Sequence, residues 1–204
     1  MRGGHFTIHT FPQRECYFVD LLYDGFVNEN KLVEVLRKEL PFEEHMIHSV
    51  DRRFEVDTQI GAGEIDANVD FGPHYLMRTK APCQLSMEQI YQFLDQTPSK
   101  ISMDPILRPI IVTDKIDDYS VISGLTVIAQ SHISLHYYPK EKKAYLDIFS
   151  CSFIDCKNID SIVEQCLKVP CETVLISRGS KHARKLTQRA DVVARYNKWQ
   201  KNIL

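Results

Sequence analysis

Two stretches, HFTIHTFP at His5–Pro12 and HISLHYYP at His132–Pro139, repeat one pattern of histidine, hydrophobic and proline residues. The offset between the copies is a constant 127 residues, and an aspartate follows each proline by eight positions, as Asp20 and Asp147. Chance does not explain two histidines, a proline and an aspartate in a single register. We therefore interpret the pattern as an internal duplication that organises the chain.

Each copy predicts the same order of secondary structure. The alternation within the quoted stretches predicts a first strand whose histidines share one face. The next segments, Cys16–Tyr23 and Ala144–Cys151, are rich in aromatic and β-branched residues, which is typical of a buried second strand. Residues 30–40 and 157–167 then space their apolar residues as amphipathic helices do.

A further unit precedes the second copy. It consists of a strand at 73–80, a helix near 86–96, and strands at 106–114 and 121–130. The order of elements predicts an α+β fold, with antiparallel sheets and helices on the outer face. We expect these layers to stack as an αββα sandwich built from duplicated units.

The repeat divides the chain into four segments. Residues 1–60 form a partial N-terminal repeat of strand, strand, helix and strand, and residues 73–180 form the full unit. Residues 61–72 begin with a Gly-Ala-Gly run and read as a linker. Residues 181–204 are predicted to form a basic C-terminal helix, which we interpret as a solvated surface helix rather than a docking surface for an acidic partner.

Composition predicts a soluble, cytoplasmic protein of 204 residues with 44% hydrophobic residues and a formal net charge of −2. That charge gives no reason to expect nucleic-acid binding, and no apolar run reaches the length of a membrane span. No signal-peptide core follows the N-terminus, so the six cysteines are expected to be free thiols. Their spacing suits no structural zinc site, and we predict no bound metal.

Residues with catalytic potential gather in the second copy. Ser123 begins an apolar strand that ends at Gln130 and Ser131, while His136 and Cys151 follow Ser131 by five and twenty positions. The string SGLTVIAQSHISLHYYP, followed by AYLDIFSC, resembles the core of the bacterial and archaeal S-adenosylmethionine decarboxylases.

This resemblance covers residues 73–180 as a full unit and residues 4–54 as a partial second copy. It implies a lyase that makes its own cofactor, because the Ser131 hydroxyl would attack the Gln130 carbonyl and cleave the chain there. Ser131 would become a pyruvoyl group that forms a Schiff base with the substrate amine and accepts electrons as CO₂ leaves. Cys151 would then reprotonate the carbanion. The implied activity is S-adenosylmethionine decarboxylation in spermidine biosynthesis.

Strand geometry separates Ser131 from His136. Five residues of extended chain span about 16 Å at roughly 3.3 Å per residue, and odd spacing puts the two side chains on opposite faces. The histidine that assists Ser131 must therefore come from a facing copy. Two sources remain open: His9 of the first copy, or a homodimer in which His136 and Ser123 come from the partner chain.

Arg78 and Gln13 stand where the family has substrate-binding glutamates. Because arginine cannot accept hydrogen bonds from ribose hydroxyls, Arg78 favours an alternative substrate, a basic amino acid such as arginine or ornithine. A non-catalytic, regulatory relative of the family is a further alternative. In every case we expect a small-molecule ligand and a homodimer as the assembly.

Overall fold

The structure is a computed structural model that describes residues 3–47, 49–50, 52, 70–116 and 119–180. Its elements in chain order are β1 His5–Phe11, β2 Cys16–Leu22, α1 Glu29–Glu39, β3 Asp70–Thr79, α2 Met87–Lys100, β4 Ile110–Ile116, β5 Tyr119–Ile128, β6 Ser131–Tyr138, β7 Lys143–Phe149, α3 Cys156–Leu167 and β8 Cys171–Ser180. A short 3-10 turn, Pro12–Arg14, joins β1 to β2.

Two antiparallel sheets form the framework. The small sheet pairs β1 with β2, and the large sheet has the strand order β4-β5-β6-β7-β3-β8. The α+β prediction is therefore confirmed. None of the helices in the described part of the chain combines the length and the apolar character needed to cross a membrane.

Helix α2 begins where its sequence predicts. Ser86 accepts a hydrogen bond from the backbone of Gln89, and the Gln89 side chain accepts one from the backbone of Ser86. This reciprocal capping box satisfies two donors that a helix N-terminus otherwise leaves unpaired. The observed helix, Met87–Lys100, contains the predicted range 86–96 apart from the capping residue and continues four residues further.

Helices α2 and α3 cover one face of the large sheet and form the main core with it. Ile90 and Leu94 of α2 are fully buried against the sheet. On the sheet, Ile133 and Leu135 of β6 are fully buried in the same core. The packing is close enough that a Cβ atom at Gly124 would lie 2.4 Å from the Leu94 side chain, so any larger residue there would clash.

The small sheet covers part of the opposite face of the large sheet. Phe18 of β2 contacts Phe149 of β7 with ring centroids 5.4 Å apart, and the histidines of β1 contact those of β6. Helix α1 buries none of its residues, and Tyr17 donates a hydrogen bond to the Leu40 carbonyl at its end. The two sheets thus stack face to face, and the histidines lie between them.

Several predicted boundaries fall outside the described residues. Residues 61–69 of the expected linker and the expected helix at 181–204 are among these. The strand β3 begins at Asp70, so the last three positions of the expected linker belong to the sheet. For the strand expected at the end of the first segment, residues 41–47, 49–50 and 52 are not in a strand, and 53–60 are not described.

Candidate active site

Ser131 stands directly after a tight turn. Ala129 and Gln130 connect β5 to β6, and Gln130 has a φ angle of 58°, in the left-handed region that side chains other than glycine rarely adopt. Ser131 pairs with Ile128 across the turn and is fully buried. The bond between Gln130 and Ser131 therefore joins a strained residue to a buried hydroxyl.

Cys151 contacts the same serine. It lies two residues after the end of β7, and its backbone N–H donates a hydrogen bond of 3.1 Å to Ser131 Oγ. Its side chain is half-buried and packs against an aromatic cluster that we define as Phe11, Phe18, Phe71 and Phe149. The guanidinium of Arg14 lies 4.1 Å above the Phe71 ring, so a cationic side chain borders this cluster.

The histidines of the two copies pair reciprocally across the sandwich. His9 Nε2 lies 2.8 Å from His132 Nδ1, and His5 Nδ1 lies 2.9 Å from His136 Nε2. The first histidine of each copy thus contacts the second histidine of the other copy. This exchange is the arrangement that a two-fold relation between the copies would produce.

The pairing separates the two candidate histidines. His9 contacts His132, the residue next to Ser131, whereas His136 Nδ1 lies 2.9 Å from Ser123 Oγ, at the far end of β6. Ser123 and His136 are also direct cross-strand partners within the chain. His9 therefore lies at the Ser131 end of the sandwich, while His136 and Ser123 lie together at the other end.

Burial keeps these imidazoles neutral. The pKa of His9 is lowered to about 4 by burial, with further lowering from Arg178 and His5. Burial and the neighbouring His5 lower the pKa of His136 to about 3, although Asp147 acts in the opposite direction. At neutral pH His9 therefore has an unprotonated ring nitrogen, which is the form that accepts a proton.

Two buried ion pairs join the copies in the same reciprocal way. Arg178 donates to the Asp20 carboxylate and, at 2.7 Å, to the Val19 carbonyl. Arg52 donates at 2.7 Å to the Asp147 carboxylate and at 2.9 Å to the Leu146 carbonyl. The repeat identifies Asp20 with Asp147 and Val19 with Leu146, so each aspartate is held by an arginine from the other copy.

His74 lies between the two aspartates. Its Nδ1 is 3.4 Å from Asp20, its Nε2 is 3.7 Å from Asp147, and burial lowers its pKa to about 4. Burial alone would raise the pKa of Asp147, but Arg52 and the nearby histidines hold it well below its usual range. Sequence reasoning identified the repeated aspartates and missed Arg52, Arg178 and His74, which bear no repeat signature of their own.

The two residues expected to bind substrate have different surroundings. Arg78 is buried, and its guanidinium contacts Glu172 on the neighbouring strand at 2.7 Å. Arg78 is the cross-strand partner of Tyr145 on β7, and Tyr145 is in turn the partner of His136 on β6. Arg78 therefore lies level with His136, at the end of the sheet away from Ser131. Gln13 lies in the 3-10 turn Pro12–Arg14.

One group of side chains in the described part of the chain has donor atoms close enough to hold a metal ion. His9, Asp20 and His132 each offer an atom within 4.8 Å of the other two. Arg178 already occupies the Asp20 carboxylate, and a divalent cation there would have to share this carboxylate with the guanidinium. We therefore interpret the group as part of the buried ion-pair network.

Comparison with protein families finds a match over the part of the chain that contains Ser131. Residues 80–179 match the family model described as S-adenosylmethionine decarboxylase, and this range contains Gln130, Ser131 and Cys151. No curated protein matches the chain. Over residues 80–179 the chain is therefore similar to the S-adenosylmethionine decarboxylase family.

Proposed function

We propose that this protein is a self-processing, pyruvoyl-dependent decarboxylase of S-adenosylmethionine that serves spermidine biosynthesis. The observation that supports this most is the contact between the Ser131 hydroxyl and the Cys151 backbone, directly after the left-handed Gln130. This contact joins the serine that would become the pyruvoyl group to the cysteine that would protonate the substrate carbanion.

Processing begins at the strained turn. The Ser131 oxygen attacks the carbonyl carbon of Gln130, the amide becomes an ester, and the hydroxyl proton moves to the nitrogen of residue 131. Loss of the α-proton of residue 131 then expels the Gln130 carboxylate and leaves a dehydroalanine, which water converts to the pyruvoyl group with release of ammonia. The left-handed backbone at Gln130 raises the energy of the amide relative to the ester and favours the first step.

His9 is the proposed base for the elimination. It is neutral at physiological pH because burial and Arg178 lower its pKa to about 4. It contacts His132, the residue that follows Ser131, on the face of β6 opposite to the Ser131 side chain, so it would act on the α-proton of residue 131 and not on the hydroxyl. His136 is engaged with Ser123 and His5 at the other end of β6, so it does not reach the serine. Of the two sources for this histidine, the facing copy within the chain fits the contacts.

The residues around position 131 suit a pyruvoyl group. Ser131 supplies its atoms, and the Cys151 N–H already donates to the oxygen of this residue. When present, the group supplies an electron sink for the bond that loses CO₂. The aromatic cluster packs at this end of the sandwich, and the half-buried Cys151 thiol would return a proton to the substrate carbon.

The family likeness and the position of Arg78 support S-adenosylmethionine as the proposed substrate. The pairing of Arg78 with Glu172, away from Ser131, weakens the argument for a basic amino acid as the substrate. The test is release of ¹⁴CO₂ from carboxyl-labelled S-adenosylmethionine, arginine and ornithine in parallel. We expect release from S-adenosylmethionine alone, and none from Ser131→Ala. Release from arginine or ornithine alone would overturn the substrate assignment, and no release from any of them would favour a regulatory relative.

A further inference from the structure

The segment that carries Cys151 connects β7 to α3 and belongs to neither element. We define it as the Cys151 loop, residues 150–154; it has no regular secondary structure, and α3 begins at Cys156 after its capping residue Asp155. Loops are usually more mobile than the elements that they connect. The position of an acid within this loop therefore depends on the contacts that hold the loop in place.

The strand β3 holds both ends of the Cys151 loop. At its start, the backbone N–H of Ser150 donates a hydrogen bond of 3.0 Å to the Pro73 carbonyl. At its end, the Tyr75 hydroxyl donates at 2.6 Å to the Ile154 carbonyl and accepts at 2.7 Å from the Ile154 N–H. Tyr75 is fully buried in the main core, which makes it a fixed anchor for the end of the loop.

The side chain of Ser150 supplies a further restraint within the loop. Its hydroxyl donates at 2.6 Å to the Ser152 carbonyl and accepts at 3.0 Å from the Ser152 N–H. Serine commonly bonds to the backbone two residues further on, and this arrangement makes a tight turn. Cys151 is the residue inside the turn, so its backbone is held on both sides.

The remaining contact of the loop is consumed by processing. The Cys151 N–H donates to Ser131 Oγ at 3.1 Å. In the proposed reaction this oxygen first becomes the ester oxygen. When its bond to Cβ of residue 131 breaks, it takes the electron pair of that bond and leaves within the Gln130 carboxylate. The oxygen that accepts the Cys151 N–H before cleavage therefore no longer belongs to residue 131 afterwards.

We propose that Tyr75 is a positioning residue for the Cys151 acid, and that it becomes necessary only after the chain has been cut. The inference rests on the proposed function. Before cleavage, Ser131 Oγ ties the Cys151 loop directly to residue 131. After cleavage, the described contacts that remain are those with β3 and those of the Ser150 side chain, and Tyr75 makes two of them.

The two stages of the reaction depend differently on this anchor. Self-cleavage uses the hydroxyl of Ser131, which itself holds the loop at that stage. Turnover requires the Cys151 thiol to reach one carbon of the substrate, and a displacement of about 1 Å is enough to slow such a step severely. Loss of the Tyr75 hydroxyl should therefore lower kcat and leave the rate of self-cleavage nearly unchanged.

Tyr75→Phe tests the proposal, with Tyr137→Phe as the matched control. Tyr137 is buried in the same core, and its hydroxyl donates at 3.0 Å to the Cys83 carbonyl, outside the Cys151 loop. We expect Tyr75→Phe to self-cleave within about twofold of the wild-type rate, with kcat lowered at least about tenfold and KM within about twofold. Tyr137→Phe should match wild type in all three quantities.

A second variant covers the case in which Tyr75→Phe does not fold. Ser150→Ala removes both side-chain bonds to Ser152, and we expect the same separation between an unchanged cleavage rate and a lowered kcat. The measurements are fragment formation on a denaturing gel and release of CO₂ by the fully cleaved protein.

The outcomes separate this inference from the proposed function. A folded Tyr75→Phe variant with wild-type kcat would overturn the inference alone. Cleavage and turnover that fall together in Tyr75→Phe, or an equal loss of kcat in Tyr137→Phe, would also overturn it, because the hydroxyl would then support the core in general. A wild-type chain that neither cleaves nor releases CO₂ would overturn the proposed function, and this inference with it.

Discussion

His9 Nε2 lies 2.8 Å from Nδ1 of His132, the residue that follows Ser131. This contact connects the first copy of the repeat to the proposed cleavage point. Its symmetric counterpart, the contact between His5 and His136, connects the copies at the other end of β6. The two histidines that the sequence leaves as rivals therefore have different neighbours, and their roles become separable by mutation.

We expect His9→Ala to slow self-cleavage far more than His136→Ala. Loss of a general base typically lowers a rate by about 10²- to 10⁴-fold, and only His9 lies at the Ser131 end. The measurement is the rate at which freshly made chain converts to fragments on a denaturing gel. His136→Ala is the matched control, since it removes the equivalent residue of the other copy. Equal self-cleavage rates for the two variants would show that the contact between His9 and His132 plays no part in the cleavage.

Gln130→Gly should slow the first step of cleavage. Glycine adopts a φ of 58° without strain, so the variant loses on the order of 1 kcal/mol of ground-state strain, or roughly fivefold in rate. Gln130→Glu keeps the Cβ atom and therefore the strain, and it should cleave at the wild-type rate. If Gln130→Gly cleaves as fast as Gln130→Glu, backbone strain at the turn does not contribute to the cleavage rate, and the turn only positions the two residues.

Arg178→Met should destabilise the fold strongly. The substitution leaves the buried Asp20 carboxylate without its cation, which typically costs about 3–5 kcal/mol. Arg108→Met is the control, because Arg108 is 83% exposed and its pair with Asp95 should contribute at most about 1 kcal/mol. Urea unfolding of both variants measures the difference. Similar midpoints would mean that the Asp20 pair lies in a solvated environment.

Stability should fall as the pH drops from about 6.5 to about 4. Burial lowers the pKa of five histidines in the folded state, whereas the unfolded chain binds protons near pH 6.5. A lowered pKa in the fold gives stability that is present above the unfolded value and lost below it. Each histidine adds about 1.4 kcal/mol per pH unit to the slope within that window. Urea midpoints at about pH 7.5 and about pH 5 measure the loss, and equal midpoints would contradict the burial of the cluster.

The sequence predicts most of the elements because their signals are local. The predicted range 30–40 is shifted by one residue from α1, and the predicted range 157–167 starts one residue after α3 and ends at the same residue. The predicted strand at 106–114 begins four residues too early, since β4 starts at Ile110. Pro109, directly before β4, explains the difference, because proline has no backbone N–H to donate to a sheet.

The candidate site is predicted only in part because it forms between the two copies. Ser131 and Cys151 follow from their motif, and the structure brings them into contact. Arg52 and Arg178 stand 126 residues apart, one short of the repeat, so no register identifies them as equivalent. Their roles depend on which residues of the two sheets face each other. The residue pattern within one strand does not predict contacts between sheets.

The central claim is that the chain cuts itself at Ser131. Intact mass of the freshly purified protein under denaturing conditions tests it most directly, because a pyruvoyl terminus differs in mass from a serine terminus. The account predicts two fragments, residues 1–130 and residues 131–204, with the second lighter than the unmodified sequence by the difference between serine and pyruvoyl. A single uncut chain of 23.7 kDa, in wild type as in Ser131→Ala, would contradict it.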